Sequence, residues 1–124
     1  MGHVLERIDL FCDTVPRTWA RASDHGPLRL FTRRGRGWPF YARPVPGSGP
    51  VIASDVECVR ARQRAGNLPE AFEWLLSTAP TMADATAATG LPVQVCPLLV
   101  LDGMPTPAPL PPGFSVRLLS LIHI

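Results

Sequence analysis

The stretch RRGRG places Arg33, Arg34 and Arg36 close together, and guanidinium groups present planar forks of donors that match phosphate oxygens. The plainer expectation for the same cluster is a solvated hairpin turn. The loop PGSGP, ahead of an expected helix, has the glycines that let backbone N–H groups approach an anion at a helix start. Pro46 and Pro50 remove two of those donors, so a turn is the expectation there as well. Arg60 and Arg64 lie one turn apart toward a helix C-terminus, where cations complement the helix dipole. Glu70 and Glu73 are close in sequence, and either could act as a general base in a pocket that raised its pKa. On a strand, residues three apart face opposite sides, so they would not act as a pair. His3 and His25 have no Cys or carboxylate at ligand spacing, and no metal is expected. Trp38, Trp74 and Tyr41 read first as core aromatics.

The 124 residues suit one domain, with 46% apolar and 18% charged residues, but 15 prolines are more than a globular domain usually carries. A net charge of +2, with acids interspersed among the basic residues, predicts neither a nucleic-acid nor a membrane partner. A small Arg-rich RNA-binding module would need a basic face with exposed aromatics, and the interspersed acids argue against one. Every basic residue counted in that charge is Arg, which with abundant Ala, Pro and Gly points to a GC-rich bacterial gene. Cys12, Cys58 and Cys96 are too far apart for a metal knuckle or a redox pair and are expected to be reduced, mostly buried thiols. No apolar run is long enough to span a bilayer and no signal peptide opens the chain, so a cytoplasmic location is expected.

These residues need elements to hold them. Val4, Leu5, Ile8, Phe11, Cys12 and Val15 recur at helical spacing and predict an amphipathic helix ending near Pro16. After a polar connection, PLRLFT and WPFYARP predict a β-hairpin around RRGRG. Ser54 and Glu57 form an S-x-x-E capping box for a helix to about Ala65, stopped by Gly66 and Asn67. AFEWLL is expected as a buried strand, Thr81 as the cap of a helix over 82–89 closed by Gly90, and 93–101 as a strand interrupted at Pro97. The uncharged segment DGMPTPAPLPPG reads as a stiff Pro-rich spacer over 102–113, with FSVRLL opening another strand.

The order of segments is more informative than any one residue. GPLRLF, GWPFYARP, SDVECVRARQRAGNLPEAFEWL, a T-x-P-T helix start, TGLPVQVCPLLVLDG and LPPGFSVRLL together resemble the N-terminal half of actinobacterial GNAT-family N-acetyltransferases, over residues 3–118. The resemblance implies an α+β (mixed α/β) fold, a GNAT-like sheet with a β-hairpin and flanking helices over 1–101. The linker over 102–113 would then lead to the first strand, 114–118, of a C-terminal acetyltransferase domain that is missing here. It also implies transfer of an acetyl group from acetyl-CoA to an amine acceptor, small molecule or peptide, with Tyr41, Glu73 and Trp74 lining the acceptor side. The family's cofactor motif, Q/R-x-x-G-x-G/A, is not met: Arg43 is followed by Gly47 and Gly49, one residue out of register. This chain is therefore expected to carry no catalytic residue, to bind no cofactor by itself, and to have its own C-terminal half as its principal partner. A non-catalytic GNAT-like partner-binding module is the alternative from a different class.

The final segment, 119–124, reads LSLIHI. It corresponds to a translated transposase end of the kind used in sequencing libraries and is expected to be non-native. Two of the chain's few isoleucines fall there, out of keeping with a GC-rich gene.

Overall fold

The computed structural model describes residues 2–119, so all but the first residue of the 119–124 tail lies outside the described residues. The chain divides into two units, Met1–Gln94 and Val95–Ile124. Among the described residues, all regular elements belong to the first. They are helix α1 (Gly2–Thr14), a single 3-10 turn (Val15–Thr18), strands β1 (Ala20–His25), β2 (Leu28–Arg33) and β3 (Ala42–Pro44), and helices α2 (Ala53–Ala65) and α3 (Met82–Ala88). The fold is thus mixed α+β, with a three-stranded antiparallel sheet in the order β1-β2-β3.

The expected pairing of PLRLFT with WPFYARP is present as β2 against β3, in the register Leu28 with Pro44, Arg29 with Arg43 and Leu30 with Ala42. The segment read as a polar connection before it is also a strand. β1 pairs with all of β2, from Ala20 opposite Arg33 to His25 opposite Leu28. Gly26 and Pro27 join them, Gly26 with φ +60, and a positive φ followed by a proline is the backbone of a tight II′-type hairpin turn.

Alternation along the strands divides the sheet into two faces. Leu28, Leu30 and Ala42 point to one, where they meet Val51, Val56 and Val59 around α2 and Ala79, Met82 and Ala85 around α3. Each large aliphatic buried there contributes about 1.5–3 kcal/mol. Val56, Val59 and Gln63 are the buried stripe of α2, and the Gln63 side chain donates to the Ala71 carbonyl at 3.0 Å. Arg29, Phe31 and Arg43 point to the opposite face, which α1 covers.

That docking corrects part of the expected stripe of α1, of which Val4, Leu5, Ile8 and Cys12 are half-buried. The buried residues are Asp9 and Asp13, whereas Phe11 is 67% exposed and Val15 is also exposed. Asp9 and Asp13 turn inward because Arg43 and Arg29 below the helix require carboxylates, and leaving Arg43 buried without one would cost more than exposing one phenyl ring. The start of α2 differs as well. The cap is Ile52, whose N–H donates to Asp55 Oδ2 at 3.0 Å, two residues before the expected Ser54 and Glu57 box. Glu57 is instead on the outer face of the helix, bound to Arg64.

The expected strand over 71–76 reduces to one parallel bridge, Phe72 beside Ala42. The Ala42 N–H donates to the Ala71 carbonyl at 2.9 Å and its carbonyl accepts from Glu73 N–H at 3.0 Å. β3 is short and ends at Pro44, which has no N–H, so a longer ladder has nothing to pair with. Residues 93–101 form no strand, and the prolines at 92 and 97 remove donors on both sides of the apolar run. Residues 102–113 and 114–119 likewise carry no helix or strand. Of the thiols, Cys12 is half-buried while Cys58 and Cys96 are exposed, and all are free. Exposure of the latter two corrects the expectation of mostly buried thiols: Cys58 falls on the outer face of α2, and Cys96 on a segment without a covering element.

Candidate functional site

The RRGRG turn is set by two backbone contacts. The 3-10 turn delivers Trp19 with its N–H on the Pro16 carbonyl at 3.0 Å, and the Trp19 carbonyl accepts from Arg34 N–H at 2.7 Å. This closes the open end of the β1–β2 pair and directs residues 34–37 away from the sheet. Arg33 Nη1 donates to the Gly37 carbonyl, and Gly37, with φ +136, occupies a conformation that other residues rarely adopt. The result is a cleft of about 340 Å³ between Trp19, Trp38 and Phe40 on its aromatic sides and Arg33, Arg34 and Arg36 on its charged side. Trp38 is 78% exposed and Trp19 60% exposed, so Trp38 is not the core aromatic that its type suggested. No carboxylate lines the cleft.

Elsewhere the carboxylates are taken up. Asp13 accepts from Arg29 Nη1 at 2.7 Å and from Arg17 Nη2 at 3.0 Å. Asp24 receives a parallel two-bond contact from Arg29, Nε to Oδ1 at 2.7 Å and Nη2 to Oδ2 at 3.0 Å. This holds the Asp24 carboxyl below its ordinary range and pushes the Arg29 guanidinium up. Asp9 accepts from Arg43 Nη2, and Arg43 is 2% exposed with its Nε lacking a partner. On the other side of the molecule Glu70 binds Arg60 at 2.7 Å and Arg64 at 2.6 Å. Its carboxyl is held below the ordinary range, chiefly by Arg60, which is the opposite of what a general base requires. Arg60 and Arg64 therefore tie α2 to the segment after it, Arg60 also reaching the Thr89 carbonyl at 2.5 Å, rather than serving the helix dipole alone. These networks were not legible in the sequence, where the partners lie up to 34 residues apart.

Of the residues expected to line an acceptor pocket, Tyr41 lies within reach of the Glu73 charge, and Trp74 does not join them. Tyr41 is half-buried, its ring edge-on to Phe31 at 6.3 Å. Burial, and secondarily the charge of Glu73, push its hydroxyl up. The Glu73 carboxylate is exposed. Trp74 packs on the opposite face, against the cluster around α2 and α3.

Ser23 Oγ and His25 Nε2 stand 3.0 Å apart, a spacing that suits a nucleophile and a base. The carboxylate that could orient the imidazole, Asp24, faces the other side of the strand and is bound to Arg29, so the constellation lacks its third member. Burial, then the neighbouring Arg62, lower the His25 pKa. Among the described residues no three His, Cys, Asp or Glu side chains gather as a metal site would need, and no helix is long and apolar enough to cross a membrane.

Compared with known proteins, the chain has no match among family models, curated proteins or solved structures.

Proposed function

We propose that this chain is the N-terminal part of an acetyl-CoA-dependent N-acetyltransferase of the GNAT family, acting on an amine in the cytoplasm, and that acetyl-CoA binds mainly outside it. The observation that carries this reading is the apolar surface of the second unit. Leu98, Leu99, Val100, Leu101, Phe114, Val116 and Leu118 are each about half exposed or more. A soluble protein seldom leaves so many large apolar side chains uncovered in one short stretch, and a further domain would cover them. The GNAT-like order of segments supplies the identity of that domain, and the mixed α+β fold is compatible with it.

The residues present do not fit a pyrophosphate. At the start of α2, after PGSGP, the Ile52 N–H is taken by the Asp55 carboxylate and the Val51 N–H by Thr81 Oγ1 at 2.9 Å. A carboxylate standing at the helix start repels the group that the bare N–H array would attract. On this reading the contribution of the chain is to the acceptor side. Tyr41 and Glu73, which share one side of β3, are better placed for it than Trp74.

Calorimetry with coenzyme A on this chain and on a version extended through its native downstream sequence tests the proposal. Coenzyme A binding that AMP does not displace, by the extended protein alone, is the expected result. Equal binding by both would put the cofactor site in the wrong half, and binding by neither would favour the non-catalytic, partner-binding alternative.

A further inference from the structure

We infer that the cleft between Trp19, Trp38 and Arg33, Arg34 and Arg36 binds a nucleotide unit, a planar base carrying a phosphate, either free or within a single-stranded nucleic acid. The inference does not rest on the acetyltransferase reading, since it concerns a site at the β1–β2 end of the first unit.

Three observations converge on this chemistry. The cleft, about 340 Å³, is within the size range of small-ligand pockets. Its walls, largely apolar, join two exposed indoles to the side chains of Arg33, Arg34 and Arg36, with the Arg33 guanidinium held by the Gly37 carbonyl and those of Arg34 and Arg36 left at the rim. Bases stack on aromatic faces while guanidinium forks bind phosphate. Its charge is also uncompensated. Asp9, Asp13, Asp24, Glu57 and Glu70 are bound to Arg17, Arg29, Arg43, Arg60 and Arg64, so half of the acids are drawn into ion pairs elsewhere in the fold, and none of the others lines the cleft. What remains around the RRGRG turn is a basic face with exposed aromatics, the condition against which the interspersed acids of the sequence argue.

The indoles report their own occupancy. Tryptophan fluorescence of the full chain is titrated with AMP, adenosine, inorganic phosphate and a short oligoadenylate, at low and raised salt. Saturable quenching by AMP is expected, tighter than by adenosine or phosphate alone and weakened by salt. Trp38→Ala, and the double variant Arg34→Ala with Arg36→Ala, should each weaken AMP by about tenfold or more, since stacking and phosphate pairing are separately lost. All of these side chains are exposed, so the variants should keep the parent circular dichroism spectrum. Oligoadenylate binding more tightly than AMP identifies single-stranded nucleic acid as the source of the nucleotide; equal affinity identifies the free nucleotide. The proposal is overturned if neither AMP nor oligoadenylate gives saturable quenching up to millimolar concentration. It is likewise overturned if phosphate alone binds as tightly as AMP, or if the folded variants bind like the parent.

Discussion

Arg29 and Arg43 are directly opposite each other on β2 and β3, on one face of the sheet, and their like charges are reconciled by two carboxylates one helical turn apart on α1. Asp13 takes Arg29 and Asp9 takes Arg43. The helix is therefore tied to the sheet by ion pairs as well as by half-buried apolar side chains such as Leu5 and Ile8, where amphipathic helices usually rely on apolar side chains alone. Such pairs contribute little net stability over an apolar replacement, but removing one partner leaves a buried charge without compensation.

Asp9→Ala should accordingly destabilise the fold by about 3–5 kcal/mol, because Arg43 stays buried. Replacing both members, Asp9→Leu with Arg43→Met, should cost clearly less than the single change. Urea denaturation of the three proteins measures both, and a double variant no better than Asp9→Ala would contradict the account.

Protonation of His25 opposes folding, because burial favours the neutral imidazole and Arg62 repels the charged one. Its folded pKa is below the ordinary 6.5, so its contribution to stability is complete above that value and is lost as pH falls toward the folded pKa. Between about pH 7.5 and about pH 5 the parent should lose stability that His25→Gln does not lose. An NMR titration of His25 with its midpoint above the ordinary value would reverse the sign.

Asn67, after α2, has φ +53, where its amide side chain is better tolerated than a branched one. Asn67→Gly should leave the melting temperature unchanged or raised, whereas Asn67→Val should cost about 1–2 kcal/mol. Thermal denaturation of the pair decides between backbone strain and an indifferent surface position.

The apolar surface over 98–101 predicts self-association of the chain at micromolar concentration. Leu99 and Leu101, 90% and 69% exposed, are the positions to change, and Leu99→Ser with Leu101→Ser should shift the size-exclusion profile toward monomer. A monomeric parent would remove the need for a covering partner and weaken the proposed missing half.

Local physics made much of the fold legible from the chain. The helices over Ala53–Ala65 and Met82–Ala88 lie between the start and stop residues that mark them, although neither Ser54 nor Thr81 caps with its side chain. Thr81 Oγ1 instead accepts from Val51 N–H. The β2–β3 pairing follows from two aliphatic and aromatic runs around a turn. What failed were judgements that depend on a distant partner. ARASDH carries too few large apolar residues to look like a strand, yet it pairs along its length because β2 offers a complementary edge. In α1 the apolar periodicity marks Leu5, Ile8 and Cys12 on the half-buried side, but it gives no sign that Asp9 and Asp13 are the buried residues, since that depends on arginines in two later strands. The same long-range pairing decided the charge of the RRGRG cleft. A sequence averages acids and bases along the chain, while the fold brings particular carboxylates to particular guanidinium groups and leaves three arginines beside two exposed indoles.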